Sequence, residues 1–152
     1  MNRYRVWSAT RYLASRMAFA RTQAVTRSAY VALRFSEDPA DVAFQMFVDG
    51  NYNGVRTLDI ESGIDEPIGE AIRLSELFPG VAIGMATGMG TDPVRIGPTD
   101  LLSFTPLGTA TPGTIYVRSP DDEQLAVRVV GATARTRVMR YVRKTRAWVD
   151  TF

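Results

Sequence analysis

Hydrophobic and polar positions change period once near the start of the chain. From Thr10 to Leu33 (TRYLASRMAFARTQAVTRSAYVAL) a helical period runs straight into an alternating one. At about 100° per residue, Val6, Thr10, Leu13, Ala14, Met17, Ala20 and Ala24 fall on one arc, while Ser8, Arg11, Ser15, Arg16, Thr22, Gln23 and Arg27 fall opposite. The first arc is built for a core. Tyr12 and Phe19 stand one heptad apart among the arginines, and they mark either a second contact surface or a flank that the following sheet covers.

After this helix the pattern is one of short strands between turn residues. Tyr30–Phe35 alternates as a half-buried strand, with Val31, Leu33 and Phe35 on one side. Val42–Val48 follows the break at Ser36-Glu37-Asp38-Pro39, and Asp49-Gly50 closes it as a hairpin turn. Further strands are expected at Glu70–Leu74, Val81–Ala86, Leu101–Phe104, Thr114–Arg118, Gln124–Val130, Arg135–Val142 and Arg146–Val149. Gly/Pro turns at this spacing favour antiparallel sheets over alternating βα units. The expected fold is therefore α+β: one long amphipathic helix within residues 1–29, packed on a β-sandwich or curled sheet formed by residues 30–152. The clearest unit is the late hairpin, Gln124–Val130 and Arg135–Val142 around Gly131-Ala132-Thr133. Arginines on both faces of its second strand suggest a sheet edge or rim.

Composition removes chemistry rather than adding it. The 152 residues suffice for one domain and contain neither cysteine nor histidine, which excludes thiol nucleophiles, Ser-His-Asp triads and N/S zinc sites. No apolar run reaches the length of a membrane span. Gly84, Gly88 and Gly90 are followed by no Lys-Ser/Thr and no helix, so they belong to a flexible connection rather than a phosphate loop. Asp121, Asp122 and Glu123 follow Pro120 in a turn and are expected to be solvated.

Charge is divided along the chain although the net value is only +2. Seven arginines and no acid precede Glu37, the middle is acidic, and the end is again basic through Arg128, Arg135, Arg137, Arg140, Arg143, Lys144 and Arg146. The ends either attract the middle within the fold or meet an external anionic surface such as lipid or nucleic acid. A cationic, uncapped first turn is unfavourable for a helix that begins there. It points to an upstream continuation, explained by a removed membrane segment, with a frayed cationic terminus as the alternative.

Four stretches in order carry a family resemblance: LASRMAFARTQAVTRSAYVAL, Leu102-Ser-Phe-Thr-Pro-Leu-Gly-Thr-Ala110, Gly113-Thr-Ile-Tyr-Val117 and Leu125–Val138. Together they resemble the minor pseudopilins of the GspH/FimT family, found in type II secretion systems and type IV pili. The family's cationic leader, processing site and membrane-spanning half-helix are missing, in keeping with the upstream continuation. The resemblance implies that residues 1–29 are the soluble half of a pilin-like helix. It further implies a structural filament subunit without catalysis or cofactor, held in the bacterial inner membrane by the missing segment with its globular domain in the periplasm. Its precursor would be processed by a prepilin peptidase to a methylated N-terminus. Its partners would be other major and minor pseudopilins and the inner-membrane assembly platform, with Tyr12 and Phe19 as contact candidates.

Two constellations point elsewhere. Asp49, Asn51, Asn53 and Asp59 match the first half of a calcium loop, in which alternate oxygens converge on a hard cation, but Ile60 occupies the position of the bidentate Glu. An Asx-rich turn is the other account. Arg135, Arg137 and Arg140 form a basic hairpin. Some FimT-branch members bind DNA there through Gly-Arg-x-Arg, whereas this chain has Ala134-Arg135-Thr136-Arg137, so DNA binding stands beside a solvated edge paired with the acidic middle. An unrelated small enzyme would need paired carboxylates in a cleft.

Overall fold

The structure, a computed structural model, describes residues 2–36, 38 and 40–151. Helix α1 (Asn2–Arg27) is followed by β1 (Val31–Phe35), β2 (Phe44–Val48), α2 (Thr57–Ser62), β3 (Glu66–Ile72) and α3 (Leu74–Leu77). The chain continues through β4 (Ala82–Ile83), β5 (Val94–Arg95), β6 (Leu101–Phe104), β7 (Gly113–Arg118), β8 (Gln124–Val130), β9 (Arg135–Val142) and β10 (Ala147–Thr151). The strands form two antiparallel sheets. One has the order β3-β2-β1-β6, and the other β10-β9-β8-β7-β4, with β5 also paired to β7.

The helical period does what the pattern predicts. Val6, Thr10, Leu13, Met17, Ala20 and Ala24 are fully buried, joined by Ala9. Thr10 is tolerated on this face because its hydroxyl donates to the Val6 carbonyl one turn back, at 2.7 Å. This face of α1 packs on strands of both sheets, β9, β8 and β7 of one and β1 and β6 of the other. Leu13, Met17, Phe35, Phe44, Ile83, Leu102, Phe104, Ile115 and Leu125 thus belong to a single core cluster. Burying such side chains contributes about 1.5–3 kcal/mol each before entropy is counted, which is why the helix and both sheets form one cooperative body.

Three features of the strands differ from the sequence pattern. First, β1 is buried on both sides rather than half-buried, because Ala32 joins Phe47, Val55 and Leu101 in a second, smaller cluster. Second, Asp49-Gly50 is not a two-residue hairpin turn: Val48 pairs with Glu66, so the intervening segment forms a long connection that contains α2. Third, β9 is not an edge strand along its length. β10 pairs with Val138–Val142 and leaves only residues 135–137 without a neighbour on that side. The late hairpin keeps its expected strands, but Val130 pairs with Arg135, so its loop spans 131–134 and Ala134 adopts a positive φ of 55°.

Two connections are held by buried polar side chains. The Asp65 carboxylate, 1% exposed, accepts the Gly50 and Arg56 N–H groups at 2.9 and 3.0 Å and ties together the two ends of the segment before β3. The Gln124 amide, 2% exposed, accepts the Ala86 N–H at 2.7 Å and donates to the Gly84, Val117 and Leu125 carbonyls. The connection expected to be flexible, 87–99, is therefore anchored at its start, and it contains β5. Gly113 lets β5 approach β7: a Cβ there would lie 2.0 Å from Ile96 Cγ2 and 2.8 Å from the Arg95 carbonyl oxygen.

Candidate functional site

One open cleft is lined by Arg34, Ser36, Thr57, Glu61 and Asp100, with Glu61 3.8 Å from the Arg34 guanidinium. Among the described residues no group of three or more Asp and Glu side chains is placed to hold a metal ion. The residues singled out in the sequence lie on other surfaces.

On α1, Tyr12 and Phe19 take different fates. Tyr12 is half-buried against Phe78, with ring centroids 5.9 Å apart, so the region around α3 covers it. Phe19 remains 40% exposed, and the Arg16 guanidinium lies 4.8 Å from its ring centroid. With Ser8, Arg11, Ser15, Ala18 and Thr22, all exposed, Phe19 forms an outward strip of mostly small side chains. Such a strip permits close approach of another helix. No helix among the described residues is long and apolar enough to cross a membrane.

The calcium-loop candidates are brought together, but through hydrogen bonds to one another. Asp49 accepts the Asn51 and Gly54 N–H groups at 3.2 and 2.8 Å. The Asn51 and Asn53 amides both donate to Asp59 Oδ2, at 3.3 and 3.0 Å. This is the hydrogen bonding of an Asx-rich turn.

The basic residues of the hairpin are not one row. Alternation puts Arg135 and Arg137 on one face of β9 and Arg140 on the other. Arg137 is paired with Asp150. Arg135 and Arg137 also line an open groove of about 610 Å³ against α1, where Arg11 and Ser15 face them. The divided charge of the chain is matched internally where ion pairs link an end to the middle, among them Arg34–Glu61 at 3.8 Å and Arg143–Asp122 at 3.1 Å. Asp122 is thus engaged rather than merely solvated: its carboxylate also accepts the Thr87 N–H at 2.8 Å. Hydrogen bonding from Thr87, and then the Arg143 charge, hold its pKa below the ordinary 3.8.

Two features of the outer face of the larger sheet carry no sequence signal of their own. Tyr116, Tyr141 and Trp148 meet there, and the Arg95 guanidinium lies 4.9 Å from the Tyr116 ring centroid. These residues come from four different strands, so only the register joins them. Asp65 and Gln124 were equally hidden, since a lone polar residue in a polar stretch reads as exposed.

The class of the molecule is α+β, with a long helix sealed by one face onto two antiparallel sheets. The minor pseudopilin EpsH from the type 2 secretion system of Vibrio cholerae has this fold, with a TM-score of 0.56 and 15% sequence identity over 88% of this chain and 94% of that one. Residues 9–134 match the family of the type II transport protein GspH, and the chain belongs to that family. No curated protein sequence matches it.

Proposed function

We propose that this chain is a structural subunit of a type II secretion pseudopilus, acting by assembly and not by catalysis. The observation that carries this is the division of α1. One face is sealed into a core shared by both sheets, and the opposite strip of Ser8, Ala18, Phe19 and Thr22 is exposed for a neighbouring helix, with Arg11 and Ser15 at the mouth of the groove to β9. Its partners are then the other major and minor pseudopilins, with the inner-membrane platform assembling them. On this reading the protein is anchored in the inner membrane, is processed by a prepilin peptidase and carries its sheets in the periplasm.

The absence of cysteine from the chain makes the test clean. A single cysteine introduced by Ser15→Cys in the full-length membrane protein is expected to cross-link to another pseudopilin carrying a cysteine on the same helical strip. The same probe at Tyr52, 94% exposed on the far connection, is expected to give none. Equal cross-linking at both positions, or none at Ser15→Cys, would sink the filament reading.

The DNA-binding alternative rests on the groove where Arg11 joins Arg135 and Arg137. It predicts salt-dependent retardation of duplex DNA that is lost in Arg135→Ala/Arg137→Ala. Failure to retard DNA at low salt removes it.

A further inference from the structure

The outer face of the larger sheet carries more organised charge than a solvated surface needs. The register sets Arg95 against Thr114, Thr114 against Arg128, and Arg128 against Arg137, so three arginines stand in one row across four strands. Arg128 and Arg137 are direct cross-strand neighbours, an arrangement of like charges that is unfavourable unless an anion offsets it. Asp150 answers one of them. It is the only acidic strand residue that the register puts on this face among the described residues, while Arg118 and Arg135 add further positive charge.

Beside the arginine row lies an aromatic one. Trp148 has Tyr141 at 5.3 Å edge-on and Tyr116 at 5.8 Å tilted by 57°, and Ala126 and Met139 on the same face are buried. The rings lean on one another, and the guanidinium of Arg95 covers Tyr116. A platform for stacking nucleobases needs open, sequentially spaced ring faces, which this cluster lacks. Trp, Tyr and Arg in a packed patch are instead the residues that anchor protein interfaces.

We propose that this face, where Arg95, Arg128 and Arg137 run beside Tyr116, Tyr141 and Trp148, docks an acidic polypeptide surface of another protein. Charge complementarity selects the partner's chemistry, and the aromatic cluster supplies the contact that water is excluded from. The proposal goes beyond the filament reading, because Arg95, Arg128, Tyr116, Tyr141 and Trp148 all lie on strands and none belongs to the outward strip of α1. Tyr141, Trp148, Arg135 and Arg137 also lie outside the residues matched to the family, so family membership does not account for them.

The test titrates the whole chain against a fluorescein-labelled glutamate–tyrosine copolymer at low salt, read by anisotropy. Oligothymidylate of similar length is the competing probe. Binding to the copolymer is expected to weaken about tenfold or more in Arg128→Glu/Arg135→Glu, two exposed positions at which folding is not at stake. It is expected to weaken about fivefold in Trp148→Ala, to be restored in Trp148→Phe, and to be unchanged in the distant Arg56→Glu. No binding, equal loss in Arg56→Glu, indifference to Arg128→Glu/Arg135→Glu, or tighter binding of oligothymidylate would each overturn the proposal. None of these outcomes touches the helix cross-linking on which the filament reading stands.

Discussion

The two faces of the six-stranded sheet are drawn from alternate residues of the same strands, yet they are held by different physics. Inward, Ile115, Val117, Leu125, Val127 and Val129 form an unbroken apolar layer beneath α1. Outward, the neighbours of those residues are Tyr116, Arg118, Gln124, Ala126 and Arg128, a mixture of rings, charge and one buried amide. The inner face is non-directional, so any residue of suitable volume serves. The outer face depends on particular atoms, and its contribution to folding is smaller while its capacity to discriminate between partners is larger.

Substitutions that separate the faces should rank accordingly. Leu125→Ala, in the inner layer, leaves a cavity under α1 and is expected to cost about 3 kcal/mol, read as a lowered urea midpoint at unchanged slope. Gln124→Leu should cost about 2 kcal/mol, since it strands the Ala86 N–H and three carbonyls in the interior. An effect as large as that of Leu125→Ala would mean that the amide, not the apolar layer, limits the sheet.

Trp148→Ala is expected to cost only about 1 kcal/mol, the coupling of its aromatic pairs, with β10 rather than the core losing amide-exchange protection. A global loss of protection would place Trp148 with the core instead. The smallest effect belongs to Asp122. Its folded pKa is depressed, so its contribution is fully present above the ordinary 3.8 and is lost as pH falls below that toward the lowered folded value. Arg143→Ala should flatten that acid limb slightly, lowering stability a little at neutral pH and leaving it unchanged at pH low enough to protonate Asp122, as urea midpoints measured across the pH range would show.

Legibility followed the same division. The arc of α1 and the strands at Gln124–Val130 and Arg135–Val142 were readable because apolar spacing alone determines them. α2 and α3 were not, since α2 buries none of its residues and α3 is only four residues long. The expected strand Val81–Ala86 shrinks to Ala82–Ile83, because Gly84 lies under the Arg118 side chain and Ala86 turns to meet Gln124. Tyr12 read as outward because its cover, Phe78, lies far along the chain. Of the surfaces, the exposed strip with Phe19 was visible in the helical period. The aromatic and arginine rows were invisible, because they exist only once four strands are in register.

The contact of α1 with both sheets also has a mechanical consequence. A pull along the helix axis cannot peel one sheet before the other, because β1 and β6 on one side and β7, β8 and β9 on the other are loaded together. The rod and its cap therefore resist tension as a strut bonded on two sides, and yielding requires shearing two interfaces at once.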